Sequence, residues 1–293
     1  MATIFKIQQF LSNCILSVLS LLKIILTSSF FIKPPKVTET GKTCIILGNG
    51  PSLNKTLEND FEKLLSNDLM CVNQFADTEY YEKLKPEYYI IQADQLLLPK
   101  AVEYHDKVRK ILFNNIAAKT TWKLILFLPV FADKSSFWKN IIKDNKNIHV
   151  CYYNPTPVEG LQGISHWLFK RNLGMPRPHN VLIPGIIQAI NMGYSTVFIT
   201  GADHSWHEEF LVDENNNFKF TDTHFFSVNN KPVPRITHTG THFLIHEAFR
   251  KFYLTFLGYH ILKEYAENEN VNIYNASYKS YIDAFERKSL STL

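Results

Sequence analysis

The 293-residue sequence is short of the features that fix a chemistry by inspection. Four cysteines, Cys14, Cys44, Cys71 and Cys151, stand far apart with no C-x-x-C, which excludes a disulfide framework and a cysteine zinc site. Three of them sit in apolar runs, and all four read as buried, reduced thiols. No Gly-Lys-Ser/Thr follows a glycine loop, so there is no Walker phosphate loop, and no H-E-x-x-H marks a zinc hydrolase. Internal repeats and low-complexity tracts are missing, which removes solenoids and disordered scaffolds. Charge is scattered. The 31 Lys and Arg against 27 Asp and Glu leave a formal +4 with no basic block, so nucleic acid is set aside as a partner. What is abundant is apolar: 45% hydrophobic and 14% aromatic residues suffice for a substantial core in one large domain or two small ones.

Residues 1–37 differ from the rest. The run from Phe10 to Ile32 is long enough to span a bilayer as a helix, but Lys23 and several polar residues interrupt it. Asn13, Ser17, Ser20 and Thr27 fall near one helical face, and Leu11, Ile15, Val18, Leu22, Ile25 and Leu26 cover the others. The helix is therefore amphipathic with a narrow, mostly uncharged polar stripe. Lys6, Lys23, Lys33 and Lys36 suit anionic headgroups. No small-x-small cleavage site follows, which favours a retained helix, with residues 1–33 meeting the membrane surface, over a cleaved signal peptide; a helix packed on the domain is the competing view. Pro34-Pro35 ends it. The expected division is a membrane-associating helix and linker at 1–37 and a single α/β domain at 38–293.

That domain is organised around its first strand. Cys44 to Leu47 is a short buried strand that runs into Gly48-Asn49-Gly50-Pro51-Ser52, which continues neither a strand nor a helix. Gly48 and Gly50 let backbone approach a ligand closely, and Pro51-Ser52 opens a helix over residues 53–65 whose first amides suit an anion such as phosphate. A tight turn without a ligand is the plainer alternative. Further strands at 69–72 and 88–91 end in Asn73-Gln74 and Gln92-Ala-Asp94, polar tips where open α/β sheets place ligand contacts.

Beyond these, the pattern predicts a helix at 96–108, strands at 110–113, 124–128 and 148–152, a helix at 135–143 and a loop at 155–178 with a helical insert. A helix at 181–192 has Pro184 in its first turn and Gly193 past its end, and the strand 196–200 opens into Gly201-Ala-Asp203-His204-Ser-Trp206-His207-Glu208. The polar, aromatic stretch from about 204 to 245 reads as a lid, followed by a long helix at 242–267, a strand at 271–274 and a closing helix at 280–288. Alternation of strand and helix predicts a Rossmann-like, mostly parallel sheet with helices on both faces.

Six of the 11 histidines, His204, His207, His224, His238, His242 and His246, crowd the lid and its flanks. Imidazole titrates near working pH and suits a general base. His246, beside Glu247, ranks first, followed by His242 and His238 at the helix entry, with His204 at the strand end. Arg235 suits a bidentate clamp on phosphate or a sugar carboxylate. Asp203-His204-x-x-His207-Glu208 has metal-donor types but not a metal spacing, and no metal ligand is assigned.

With GNGPSL at 48–53, VNQF at 72–75, the helix-Gly-Tyr-strand-Gly-x-Asp series at 185–203 and IYNAS at 273–277, the chain resembles the bacterial lipo-oligosaccharide sialyltransferases. It is also similar to the wider group around the 6-hydroxymethylpterin pyrophosphokinase. The first resemblance implies a GT-A-like Rossmann fold and inverting transfer of sialic acid or a related acidic sugar, from a nucleotide donor, CMP-linked in that family, to a cell-surface glycan or glycolipid. It implies a histidine base and no metal for the chemistry. Gly48, Asn49, Gly50, Ser52 and Asn73 would hold the nucleotide, and Gly185, Gly201 and Asp203 would surround ribose and phosphate. Apart from the resemblance, Gln92 and Asp94 are donor-site candidates as strand-tip residues. In place of that family's Arg-Ile-Thr-Ser-Gly this chain has Val181-Leu-Ile-Pro-Gly185, and its leaving-group tyrosines become His204, Ser205 and Trp206. The second resemblance implies a magnesium- and ATP-dependent pyrophosphokinase, with Asp94 and Asp203 as ligands; a tethered binding module is the non-enzymatic alternative. For the transferase, the expected place is the cytoplasmic face of an inner membrane, peripheral or singly anchored, and a homo-oligomer stays open.

Overall fold

Alternate residues of each short apolar strand belong to different cores. In β1 (Thr43–Leu47), Cys44 and Ile46 face one helical layer and Ile45 and Leu47 the other; in β2 (Asp68–Val72), Met70 and Val72 part from Leu69 and Cys71 in the same way. Side chains alternate across a strand, so a strand apolar on both faces must be covered on both. Burying one such side chain contributes about 1.5–3 kcal/mol, which makes these strands the frame of the molecule. The computed structural model describes residues 2–39, 41–99, 103–220, 225–226, 233–234 and 243–293.

The remaining strands are β3 (Tyr88–Ile90), β4 (Leu124–Pro129), β5 (Ile148–Tyr153), β6 (Thr196–Thr200), β7 (Phe210–Val212), β8 (Phe218–Phe220), β9 (Val233–Pro234), β10 (Asn272–Asn275) and β11 (Glu286–Arg287). Eight form one sheet in the order β11-β10-β6-β1-β2-β3-β4-β5, and every pairing in it is parallel. β7, β8 and β9 make a small antiparallel sheet within the expected lid. The chain winds outward from β1 through β2 to β5, then returns to place β6 on the other side of β1. That reversal is the topological switch point, outside whose carboxyl ends such sheets carry their ligands.

The helices are α1 (Ala2–Thr27), α2 (Leu53–Asn59), α3 (Phe61–Leu65), α4 (Tyr80–Leu84), α5 (Asp94–Leu97), α6 (Glu103–Lys119), α7 (Ser136–Ile142), α8 (Gln162–Lys170), α9 (Leu182–Met192) and α10 (Ile245–Asn268). Residues of α8, α9 and α10 share one core with Ile24 of α1, and those of α2, α4, α6 and α7 share the other. All eleven residues of α9 are buried, as its all-round apolar sequence requires. Gly193 ends it in the left-handed region at φ 102°, and the amide of Tyr194 closes onto the Ala189 carbonyl.

Two expected elements are absent. The apolar run 110–113 lies inside α6, where Leu112 and Phe113 are two of a helical face completed by Arg109 and Ile116; four apolar letters did not distinguish a strand from one turn of helix. Residues 280–288 are not helical but extended, and β11 adds in parallel to β10 at the sheet edge. The expected helix at 53–65 is broken at Asp60 into α2 and α3. All four cysteines are free, Cys44 and Cys71 fully buried and Cys14 and Cys151 half-buried.

Candidate functional site

At the switch point the loop after β1 and the loop after β6 interlock. The amide of Gly48 donates to the Thr200 carbonyl at 2.7 Å and that of Gly50 to the Gly201 carbonyl at 2.8 Å. Ser52 gives its amide to both carboxylate oxygens of Asp203, at 3.1 and 3.2 Å, and its hydroxyl to Oδ2 at 2.8 Å. The glycines are required by this contact. A Cβ on Gly48 would lie 2.5 Å from the Gly201 carbonyl oxygen, and one on Gly50 would lie 2.6 Å from it and overlap the Asp203 carboxylate.

This corrects the expected phosphate cradle. The amides of Gly48, Gly50 and Ser52 are engaged by the β6 loop, and the anion seated at the start of α2 is the chain's own Asp203. Burial pushes the Asp203 carboxyl up from its usual range, and the Ser52 donors pull it back. Gly201, at φ 62°, belongs to the same interlock.

A cavity of about 260 Å³ opens beside the interlock. Its wall includes Asn49, Asn73 and Gln74 from the tips of β1 and β2, Asn180 and Leu182 at the start of α9, His204 and Trp206 after β6, and Lys279. Asn49 donates its Nδ2 to the Val72 carbonyl at 3.1 Å, and among the described residues its buried Oδ1 has no partner. A buried acceptor without a partner costs about 1–3 kcal/mol. Asn73 and His204 both stand in the left-handed region, at φ 45° and 53°. Such backbone persists where surrounding structure enforces it, and it concentrates at functional sites. Here the Tyr89 hydroxyl donates to the Asn73 carbonyl, and Asn73 Oδ1 accepts the Gln92 amide at 3.2 Å.

The other expected contacts fall outside the cavity wall. Gln92 accepts from the Tyr153 hydroxyl and supports Asn73 from behind. Asp94 is exposed at the first position of α5. Gly185 is buried within α9, where a Cβ would meet Met70 Sδ at 3.4 Å and Ile46 at 3.6 Å, so its place is against the sheet. α9 instead contributes its start. Asn180 Oδ1 accepts the Leu182 amide at 2.8 Å and the Tyr259 hydroxyl at 3.2 Å.

The first-ranked histidine does not stand at the cavity wall. His246, the second residue of α10, is exposed, and among the described residues α10 contributes nothing to the cavity wall. Its neighbour Glu247 caps the helix through the Leu244 amide at 2.9 Å. His204 does reach the wall but is 6% exposed, its Nε2 2.6 Å from the Tyr259 hydroxyl. Because that hydroxyl donates to Asn180, the imidazole donates to it. Burial pushes His204 down to about 3, so it is neutral and a poor base. Its ring packs on Trp206 at 4.3 Å, and Trp206 stacks on Phe252 at 5.2 Å. Arg235, His224, His238 and His242 lie outside the described residues.

Residues that the motifs did not reveal complete the wall. Lys279 comes from the C-terminal segment that underpins β6: Ser277 Oγ accepts the Ala202 amide at 3.0 Å, and the Tyr281 amide donates to the Asp203 carbonyl at 2.9 Å. Lys279 pairs with Glu208 at 2.6 Å on the rim. An isolated lysine in a polar run carries no sequence signal for such a place. Phe225 crosses the glycine loop, its amide donating to the Asn49 carbonyl at 3.0 Å and its carbonyl accepting from Asn54 at 3.2 Å.

Fold and site together define a doubly wound, Rossmann-like α/β protein with one polar cleft at its switch point. Among solved structures, the MAf glycosyltransferase from Magnetospirillum magneticum AMB-1 is similar to this chain, with a TM-score of 0.49 and 12% identity over 89% of the chain. The chain spans 36% of that protein's length. No family model matches the chain, and no curated protein does.

Proposed function

We propose that the chain is a glycosyltransferase that takes a nucleotide-activated sugar into the switch-point cleft and passes the sugar to a glycan acceptor. The observation that carries it is convergence: Gly48–Pro51, Asn73-Gln74, Gly201 and Asp203–Trp206, far apart in sequence, line one cavity. Gly48–Pro51, Asn73-Gln74, Gly201 and Asp203 belong to motifs that carry the resemblance to the lipo-oligosaccharide sialyltransferases, whereas His204, Ser205 and Trp206 depart from it. On that resemblance the donor is a CMP-linked sialic or related acidic sugar, the acceptor a cell-surface glycan or glycolipid, and the transfer inverting. The acceptor oxygen attacks the anomeric carbon, the bond to the phosphate oxygen breaks, and a base takes the hydroxyl proton.

Lys279 is the cation at hand for the departing phosphate, which would displace Glu208 from it. His204 serves as a wall residue, and the base is proposed among His238 and His242. The pyrophosphokinase reading is less well supported. Its two magnesium ligands are not brought together, since Asp203 is bound to Ser52 and Asp94 is exposed on α5 outside the cavity wall. The expected place of action is the cytoplasmic face of an inner membrane; α1 is long and apolar enough to cross one by length and composition.

The test is a thermal-shift panel of CMP, UDP, GDP and ATP, each with and without magnesium. CMP at a hundred times its dissociation constant should stabilise by about 2.7 kcal/mol, on the order of 5 °C for a chain of this size. Asn49→Ala should reduce the shift at the same concentration. Stabilisation by ATP with magnesium alone, or by none of the four, would overturn the reading.

A further inference from the structure

α1 is turned inside out for a helix of a soluble domain. Its polar stripe faces the protein: the Ser20 hydroxyl donates to the Glu159 carbonyl at 2.9 Å, and Ser17 Oγ accepts the Leu161 amide at 2.8 Å. Ser28 Oγ donates to the Leu173 carbonyl at 2.7 Å, and Asn154 exchanges two 2.8 Å bonds with the backbone of Ser29. Gly160, at φ 120°, presses its backbone on the helix, where a Cβ would lie 2.5 Å from the Ser17 amide nitrogen and 2.6 Å from the Asn13 carbonyl oxygen. The apolar side is left outside. Ile4, Leu11, Val18 and Ile25 are all more than half exposed, and Leu26 is 81% exposed.

Three further observations identify what covers that side. At 3.6 residues per turn the exposed apolar side chains of α1 occupy an arc of about 220°, far wider than the two-position seam through which a helix pairs with a second copy. Residues 1–38 contain four lysines and no acidic residue, and Lys36 donates to the Asn191 carbonyl at 2.6 Å. Lys6 and Lys33 are exposed and suit anionic headgroups, whereas Lys23 is half-buried and its charge also acts on Glu159. The docked stretch is also too long for a span. Between Ser17 and Ser29 the chain is fixed to the domain, and the residues from Ile4 to Ser12 reach only about 14 Å against a hydrocarbon core of about 30 Å. A spanning pose would drag the Arg177–Glu159 ion pair, 2.7 Å long and one residue from Gly160, towards hydrocarbon.

We propose that α1 is an in-plane anchor: its polar side holds the domain, and its apolar arc lies in the surface of an anionic bilayer without crossing it. The proposal does not depend on the transferase reading. Because β5 runs parallel to the rest of the sheet, the clamp at Asn154 lies at the edge that also carries the cleft, where a lipid-linked acceptor would arrive.

The experiment uses the full chain in phosphatidylcholine vesicles with or without about 30% phosphatidylglycerol; the exposed lysines should strengthen flotation with the anionic lipid at least roughly ten-fold. An environment-sensitive fluorophore is placed on Leu11→Cys, Val18→Cys or Ile25→Cys in a C14S/C151S background, and depth is read by lipid-borne quenchers. An in-plane helix gives one common depth at all three positions. Depths differing by about 20 Å between Leu11 and Ile25 would mean a span and overturn the proposal, as would failure to float with dimers in sedimentation. Gly160→Leu should release the helix and abolish the common depth; its persistence would show that the clamp is not what keeps the helix flat. None of these readouts requires turnover, so they stand or fall apart from the enzymology.

Discussion

The buried imidazole of His204 makes the fold acid-sensitive in a way that can be assigned to one residue. In the folded chain burial keeps the ring neutral down to about pH 3, whereas in the unfolded chain it binds a proton below the usual 6.5. Between these values the unfolded state holds more protons, so this contribution to stability is complete above 6.5 and is lost as pH falls. From pH 7 to pH 5 the loss is about 2 kcal/mol, at 1.36 kcal/mol per pH unit once the unfolded imidazole titrates. The carboxyls of Asp77, Glu87 and Asp203 are pushed up by burial and act in the opposite sense, so the wild-type curve alone does not isolate the histidine. His204→Phe does. It retains a ring against Trp206 and removes both the titration and the bond to Tyr259, at about 1 kcal/mol for that bond at pH 7. Urea unfolding of both proteins at pH 7 and pH 5, in the same mild detergent, should show the wild type losing about 2 kcal/mol more than the variant. An equal loss in the two would mean that His204 is not buried neutral, and the account of this wall of the cleft would fail.

Gly50→Ala should cost about 1–3 kcal/mol by overlap with the Asp203 carboxylate, whereas Gly163→Ala, in the first turn of α8 with nothing within 4 Å of its added methyl, should be neutral or stabilise by about 0.5 kcal/mol; denaturant midpoints compare them. Asp203→Asn sets an amide against the Ser52 donors and should destabilise by about 2 kcal/mol, read as a lower melting temperature. His246→Ala should leave donor affinity and turnover unchanged, since the residue is exposed and off the cavity wall; a large loss of turnover would return it to the mechanism. Lys279→Ala should lower kcat more than it raises KM, which initial-rate kinetics separate.

Local pattern sufficed where one residue type has one physical outlet. The apolar runs of β1, β2, β4 and β6, Pro184 inside α9 and Gly193 after it were legible because buried strands and helix ends constrain composition directly. The run 110–113 was not, since packing on the sheet decides whether four apolar residues lie on a helix or a strand, and the C-terminal segment became β11 because β10 offered an unpaired edge.

The motif residues of the cleft were found in sequence, but their partners were not. That glycines follow β1 and β6 is visible in one dimension; that they touch each other, and that Asp203 takes the anion seat at α2, depends on two loops about 150 residues apart meeting at the reversal of strand order. The spacing of residues likewise determined that α1 has one polar and one apolar side, because side-chain direction repeats every 3.6 residues. Only the tertiary structure decided which side meets the protein, because that turns on whether unpaired backbone groups of residues 154–161 and 173 stand ready to receive its serines.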